Sequence, residues 1–415
     1  MLAIDTAALS THPVPAPAPL RPSSEGPQSR RSGAATAPLG LEAAQALCDQ
    51  LGEAAMAIAT GEQRLAQQMV TAVEAQARLD GAPRERIAAL FARALRARLD
   101  GDLSGTGNLY DLGAGPAEML AAFRALVADT PIIRFGHLGA NEAILRAAAG
   151  LSAMTLIDVG VGHGTQWIDL FDQLAARPSG PPQVTLVGIE VPAPGEDPVA
   201  QFAAVETHLG AHAAARGVPF RFRGIAARVE EVIDFGVAAD DAVIVNASFA
   251  IHHVPDGDAV VDRAHSRDAV LARLCALRPR ALVLAEPNVE HNALDFADRV
   301  VESMHHYGLV FEILGELGVA TDPRRIIEQS FFGREIMNIV GGEGPARQER
   351  HERLTSWQRR LTRLGFAPLS MSGVGARVAA RLGAPRPFSV EERDGAMILG
   401  WKDETMAAVT AWEAR

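Results

Sequence analysis

Between positions 155 and 285, short apolar runs alternate with longer stretches whose apolar residues recur every three or four positions. The short runs predict strands at 155–159, 184–189, 220–225, 242–247 and 281–285. Four of them are mostly Val, Ile, Leu and Ala, as strands buried on both faces require, while 220–225 reads FRFRGI. Most of the segments between them have room for a helix, so the pattern predicts βαβ units and a parallel sheet. Upstream, RIAALFARALRARL at 86–99 repeats apolar residues at helical spacing within an Ala-, Leu-, Arg- and Glu-rich stretch, 41–100, that predicts two or three amphipathic helices. Two more helices are expected at 117–127 and 140–148. Downstream, helical patterns at 291–317, 324–339 and 350–364 precede AMILGW and MAAVTAW, which predict antiparallel edge strands.

Residues 1–40 carry no such periodicity: PVPAPAPLRP and SSEGPQSRRSG bury too little apolar surface to offset their ordering entropy. The expected organisation is a disordered tail at 1–40, an N-terminal helical cap at 41–150 and an α/β core at 151–290. A helical cap insertion at 291–345 follows, then a C-terminal part of the core with antiparallel edge strands at 346–415. With 48% hydrophobic and 21% charged residues among 415, the chain can bury a sizeable core. Its net charge of -11 argues against a protein that grips phosphate backbone, so no direct nucleic-acid partner is expected. The two cysteines, Cys48 and Cys275, offer neither a disulfide framework nor a zinc spacing. No run approaches the roughly 18 to 20 apolar residues of a membrane span, and the start lacks an apolar signal core. A cytoplasmic chain with no membrane contact is expected.

The segment richest in chemistry is MTLIDVGVGHGTQWIDLFDQL, 154–174. An apolar strand ends at Asp158, Gly160, Gly162 and Gly164 alternate, and a helix begins near Gln166. Glycines at a strand-to-helix turn admit positive φ and close approach of a ligand, and the helix start offers free N–H groups. A dinucleotide fingerprint wants G-x-G-x-x-G/A, whereas counting from Gly160 puts the third position on Thr165. The segment reads D-x-G-x-G-x-G, which resembles the first motif of S-adenosylmethionine-dependent methyltransferases. The next strand ends in Glu190, where such a sheet hydrogen-bonds a ribose diol. The candidate cofactor ligands are therefore Asp158, Gly160, Gly162, Gly164, Gln166, Glu190 and Asn246.

Ligands of open α/β sheets sit beyond the carboxyl ends of the strands. That places NASFAIHHVPD at 246–256 and AEPN at 285–288 around a substrate. His252, His253, Glu286 and His305 are the acid/base candidates, since imidazoles titrate near neutral pH. Ser248, Asn288 and Arg334 are the substrate candidates, Arg334 as a bidentate partner of an anion. No metal is expected, because adjacent histidines do not easily converge on one centre and no cysteine supports them.

Several further segments, in order, carry a broader resemblance from about residue 41 to the end. The chain resembles a bacterial member of the GRAS family, a group best known as plant transcriptional regulators. MTLIDVGVGHGTQW stands where the family has its VHIID motif, with Leu156, Ile157, Asp158, Gly164, Gln166 and Trp167 matching. RIAALFARALRARL and FGHLGANEAIL resemble the preceding leucine-rich region. AEPNVEHNALDFADRVVESMHHYGLVFEIL and FFGREIMNIVGGEGPARQERHERLTSWQRRL are similar to the PFYRE region, with Arg334 and Glu335 as its RE pair. LGWKDETMAAVTAW is similar to the SAW motif, with Thr410 in place of the serine. The resemblance implies a Rossmann-like methyltransferase fold, α/β with a mostly parallel sheet, under a helical cap. Plant members commonly read F-D-I-M-Q-G after the aspartate; here Gly160 and Gly162 leave room for a cofactor. The resulting expectation is an S-adenosylmethionine-dependent methyltransferase acting on a small molecule held between core and cap. The alternative is a noncatalytic scaffold or regulator that binds a protein partner or a small hormone-like ligand, as a homodimer or through its cap helices.

Overall fold

A computed structural model describes residues 39–102, 124–192 and 197–415 of the chain, all within one unit, Pro38–Arg415. The expected tail lies outside the described residues except for its last two, as does most of the helix expected at 117–127. Five strands, β1 (Ala153–Val159), β2 (Gln183–Glu190), β3 (Phe220–Ala226), β4 (Val243–Ser248) and β5 (Ala281–Pro287), lie within two residues of their sequence-based bounds at each end. They pair in parallel. Four more complete the sheet: β6 (Phe366–Leu369), β7 (Phe388–Arg393), β8 (Ala396–Trp401) and β9 (Glu404–Ala414). The order is β3-β2-β1-β4-β5-β9-β8-β7, with β6 also paired to β9, and β6 to β9 joining antiparallel. The 3-2-1-4-5 half is that of a doubly wound sheet, whose strand order reverses between β1 and β4.

Side chains alternate between the faces of a strand, and here both faces are covered. Leu156, Leu186, Ile244 and Val283 pack into one cluster, while Ile157, Val187, Val245 and Leu284 pack into another on the opposite face. That is why these strands read as continuous apolar runs. The first face carries α4 (Pro131–Ala147), α5 (Thr165–Ala175) and α6 (Pro198–Ala215); Val270, Leu271, Trp357 and Leu361 of α7 (Arg267–Ala276) and α10 (Leu354–Arg363) pack on the second.

Helix α4 sits against β4, β5, β8 and β9, so residues 131–147 belong to the sheet layer rather than to an N-terminal cap at 41–150. Its glycines explain the close approach: a Cβ on Gly136 would stand 2.4 Å from the Phe249 ring, and one on Gly139 2.1 Å from Cε of Met397. The other N-terminal helices, α1 (Leu41–Ala59), α2 (Gln63–Glu74) and α3 (Pro83–Asp100), pack on one another. They also meet the later helices α8 (Phe296–Glu316) and α9 (Gly333–Gly341). Pro83 at the first turn and Gly101 in the left-handed conformation, φ 69°, bound α3. Before α9, Thr321–Arg325 forms a short turn of helix and Ile326–Phe332 a π-helical stretch. A small helix, α11 (Gly375–Leu382), closes on α4. Among the described residues, no helix is long and apolar enough to cross a membrane.

Candidate functional site

At the end of β1 the glycines take the conformation their identity permits: Gly160, Gly162 and Gly164 have φ of 82°, 50° and 71°. The carboxylates beside them are already engaged. Asp158 accepts from Nε1 of Trp167 at 2.8 Å and, through its other oxygen, from Nδ2 of Asn246 at 2.8 Å. Asn246 is its register partner on β4. Gln166 donates to Oδ1 of Asn141 at 3.1 Å and to Oδ1 of Asn246 at 3.4 Å. Glu190 accepts from the backbone N–H of Gly162 at 2.7 Å and of Val191 at 3.1 Å. All four polar side chains are buried. A Cβ at Gly162 would meet nothing within 4 Å, whereas one at Gly160 would lie 3.1 Å from the Cβ of Ala250 and one at Gly164 2.9 Å from Leu209. The turn thus opens at Gly162, but the residues read as ribose and methionine ligands hold one another.

Burial raises Asp158 to about 7, against the hydrogen bonds from Asn246 and Trp167. The folded state then binds more protons than the unfolded one between about pH 4 and 7, so this group makes stability fall as pH rises through that window. The slope is at most about 1.4 kcal/mol per pH unit. Asp158→Asn should flatten that slope, measured by urea unfolding at pH 4.5, 5.5 and 6.5. An unchanged slope would place the titration elsewhere.

A second polar centre lies beyond β4 and β5. Glu286, near the end of β5, accepts from the backbone N–H of Ile251 at 3.1 Å and meets Nδ1 of His252 at 2.5 Å. His252 stacks on His351, ring centroids 4.1 Å apart, and its Nε2 lies 3.7 Å from Oε2 of Glu349. His253 brings Nδ1 to 3.1 Å from the same oxygen, as an ion pair. His351 meets His291 through their Nδ1 atoms at 3.1 Å, and Tyr307 donates to Glu335 at 2.6 Å. Burial opposes the charged form of His253, but Glu349, Glu335 and Glu286 outweigh it and raise the imidazole to about 9. Burial, with Glu349 close by, raises Glu335 to about 8. Burial, with neighbouring histidines, holds His291 and His351 well below the ordinary range.

The sequence-based candidates divide accordingly. His252, His253 and Glu286 come together. His305 does not: it is exposed and pairs with Glu404 at 3.3 Å, because the next residue of the helix points about 100° away and it is His306 that turns inward, 6.0 Å from His291. Ser248 donates to Asn246 at 3.2 Å, and Asn288 accepts from the backbone of Leu354 at 2.8 Å, so both hold the fold. Arg334 is half-buried, while Glu335 is committed to Tyr307. Sequence reasoning missed His351, Glu349 and Tyr307 as site residues. The helix expected from 350 begins only at Leu354, and the four residues ERHE at 349–352 form a buried non-helical segment. Four consecutive polar residues that buried leave no apolar periodicity to read.

Comparisons with known proteins bear on this arrangement. A model described as the GRAS domain family matches residues 47–413. Scarecrow-like protein 5 of Arabidopsis thaliana is 33% identical over 379 residues, 87% of this chain and 61% of that protein. Scarecrow-like transcription factor PAT1 of Arabidopsis thaliana is 31% identical over 366 residues, 86% of this chain and 74% of that protein. A crystal structure of SCL7 in Oryza sativa is 29% identical with a TM-score of 0.77, covering 88% of this chain and 99% of that one. The expectation of a methyltransferase is overturned by these relatives, one of them named a transcription factor. They are plant proteins, so the bacterial assignment falls with it.

Proposed function

The chain belongs to the GRAS domain family, and on that premise we propose that it is a noncatalytic regulator that works by binding a protein partner. The observation that carries this reading is that the carboxylates beside the glycine turn are engaged within the protein: both oxygens of Glu190 hold backbone N–H groups, and both oxygens of Asp158 hold Trp167 and Asn246. A turn whose carboxylates and donors satisfy one another is a support for the sheet. The Rossmann-like, methyltransferase-type ancestry of the sheet belongs to the same proposal, as a scaffold put to binding. S-adenosylmethionine enters it only as a ligand to be titrated, without turnover.

The helical layer of α1 to α3, α8 and α9 supplies the partner surface in this reading. Met56 and Val301 on α1 and α8, and Leu65 on α2, are exposed apolar side chains of that layer. Affinity capture of the tagged full chain from the cells that produce it should yield a protein complex that survives gel filtration. Incubation with labelled S-adenosylmethionine should yield no S-adenosylhomocysteine. Repeated turnover that disappears in Gly162→Met would sink the proposal. Met56→Asp with Leu65→Asp should weaken the complex while changing unfolding stability by no more than about 0.5 kcal/mol per site, as exposed substitutions do.

A further inference from the structure

We propose that the cavity between α4, the start of α5 and α11 binds a small carboxylic acid, as a ligand and not as a substrate. The cavity measures about 230 Å³. Its lining includes the exposed Arg134 and Thr165 and the buried Leu138, Asn141 and Gln166, so it leads inward from the surface. A cavity of about 150 Å³ takes benzene, so this one has room for on the order of ten non-hydrogen atoms. Among the described residues that line it are none of Asp158, Gly160, Gly162 and Glu190, and none from α1 to α3, α8 or α9. The site is therefore distinct from the glycine turn and from the layer assigned to partner binding.

The acceptors around this space are already engaged. Asn141 donates to the carbonyl of Gln166 and to Oδ2 of Asp169, each at 3.1 Å, and accepts from Gln166. Asp169 is also held by Gln173 and Arg381. Glu142, 3.7 Å from Nη1 of Arg381, accepts from Nε and Nη2 of Arg377 at 3.0 and 2.8 Å. The groups left over are donors. Arg134 donates to the carbonyl of Arg381 at 3.0 Å and has no carboxylate within 4.0 Å among the described residues. Nη1 of Arg381 is buried without a hydrogen bond. Helix α5 starts at Thr165 with no side-chain cap, and the first N–H groups of a helix have no partner within it. His137 shares a face of α4 with Arg134 and Asn141, at helical spacing, and has no hydrogen-bond partner among the described residues. Burial lowers its imidazole to about 4, against the pull of Asp169, so at neutral pH it is an uncharged ring with one N–H to give.

The charge of the head group follows by difference. Asp169 neutralises Arg381, which leaves Arg134 and roughly half a positive charge at the helix start. One negative charge matches that better than the nearly two of a phosphate. Val127 and Leu138 give the body of the acid an apolar wall. A bound acid bridges three helices of the sheet layer and stabilises the fold by mass action.

The test uses the full chain, with benzoate and hexanoate as probes and benzamide as the uncharged counterpart of benzoate. Both acids should raise the melting temperature and titrate to saturation by calorimetry. Benzamide should bind about 10-fold or more weakly, because a charge-assisted hydrogen bond is lost. Arg134→Gln should weaken benzoate by a similar factor while the free chain keeps its melting temperature, and His137→Phe should weaken it too. Arg280→Gln, which removes an exposed guanidinium at the far end of α4, where it meets the carbonyl of Ala147, should leave binding unchanged. No saturable binding of either acid, benzamide bound as tightly as benzoate, or undiminished binding in Arg134→Gln would each overturn the proposal. So would an equal loss in Arg280→Gln, which would make the attraction one of general surface charge. If His137→Phe fails to fold, Arg134→Gln decides.

Discussion

Arg86→Met is expected to destabilise the chain by about 3 to 5 kcal/mol, the cost of stranding one partner of a buried ion pair. Arg86, on α3, donates from Nε and Nη2 to the two oxygens of Glu328 at 2.7 Å each, and from Nη1 to the carbonyl of Gly81 at 2.7 Å. Both side chains are almost wholly buried. The bidentate fork is what a guanidinium offers a carboxylate, and a lysine cannot reproduce it. With Arg86 gone, Glu328 keeps Arg324 at 3.9 Å as its ion-pair partner among the described residues, and the carbonyl of Gly81 loses its donor. Because the pair ties the N-terminal helices to the π-helical stretch Ile326–Phe332, the loss should also loosen the layer assigned here to partner binding. Urea unfolding gives the number, provided the denaturant slope stays constant. Arg86→Met combined with Glu328→Leu should recover much of the loss, since an apolar pair of similar volume removes the uncompensated charge. A single variant within 1 kcal/mol of wild type would show that water reaches the pair.

How far the sequence revealed this molecule depends on which physical signal each part leaves. Four of the five parallel strands, β1, β2, β4 and β5, were legible because burial on both faces forces a nearly unbroken apolar run, as Leu156 and Ile157 show by packing into different clusters. Strands β8 and β9, expected at an edge, lie inside the sheet between β5 and β7 and were legible for the same reason, whereas the edge strand β7, with Glu391, Glu392 and Arg393 exposed, carries too few apolar positions. The glycine turn was found, but the hydrogen bonds by which Glu190 and Asp158 are engaged beside it were not. Glycine spacing reports that the backbone needs positive φ, and it cannot say whether the adjacent carboxylates face a ligand or close the turn themselves. His252, His253 and Glu286 were recovered because the ends of β4 and β5 must lie together. Glu349, His351 and Tyr307 were not, since nothing in their local spacing records that the strap 349–352 returns to the same sheet edge. His305 was chosen over His306 because a two-residue run does not say which side chain faces inward; only the rotation of α8 against its neighbours decides that.

The strap and the histidine turn depend on one fully buried cation, and removing it gives the second large effect expected. Arg267, at the start of α7, donates to the carbonyls of His252 at 2.8 Å and Val254 at 3.1 Å, and to Glu352 at 3.1 Å. Its guanidinium lies 5.2 Å from the ring centroid of Trp357. A single side chain thus fixes the backbone on both sides of His253 and the last residue of the strap. Arg267→Met should cost about 3 to 5 kcal/mol, because Glu352 and two carbonyls remain buried with fewer donors. Arg360 also reaches Glu352, so the carboxylate is not wholly abandoned, and the loss should fall towards the lower end. Arg267→Lys should recover only part of it: an ammonium serves one or two of the three acceptors at once, and it forfeits the planar contact with Trp357. Hydrogen exchange separates a local effect from a global one. In Arg267→Lys, protection should fall first at residues 251–254 and 349–352, while β1 and β2 keep theirs. Equal loss of protection across the sheet would mean that Arg267 stabilises the whole fold and does not specifically hold the histidine turn. Stability in Arg267→Lys equal to wild type would mean that one donor suffices, and that the position of His252 is fixed mainly by Glu286.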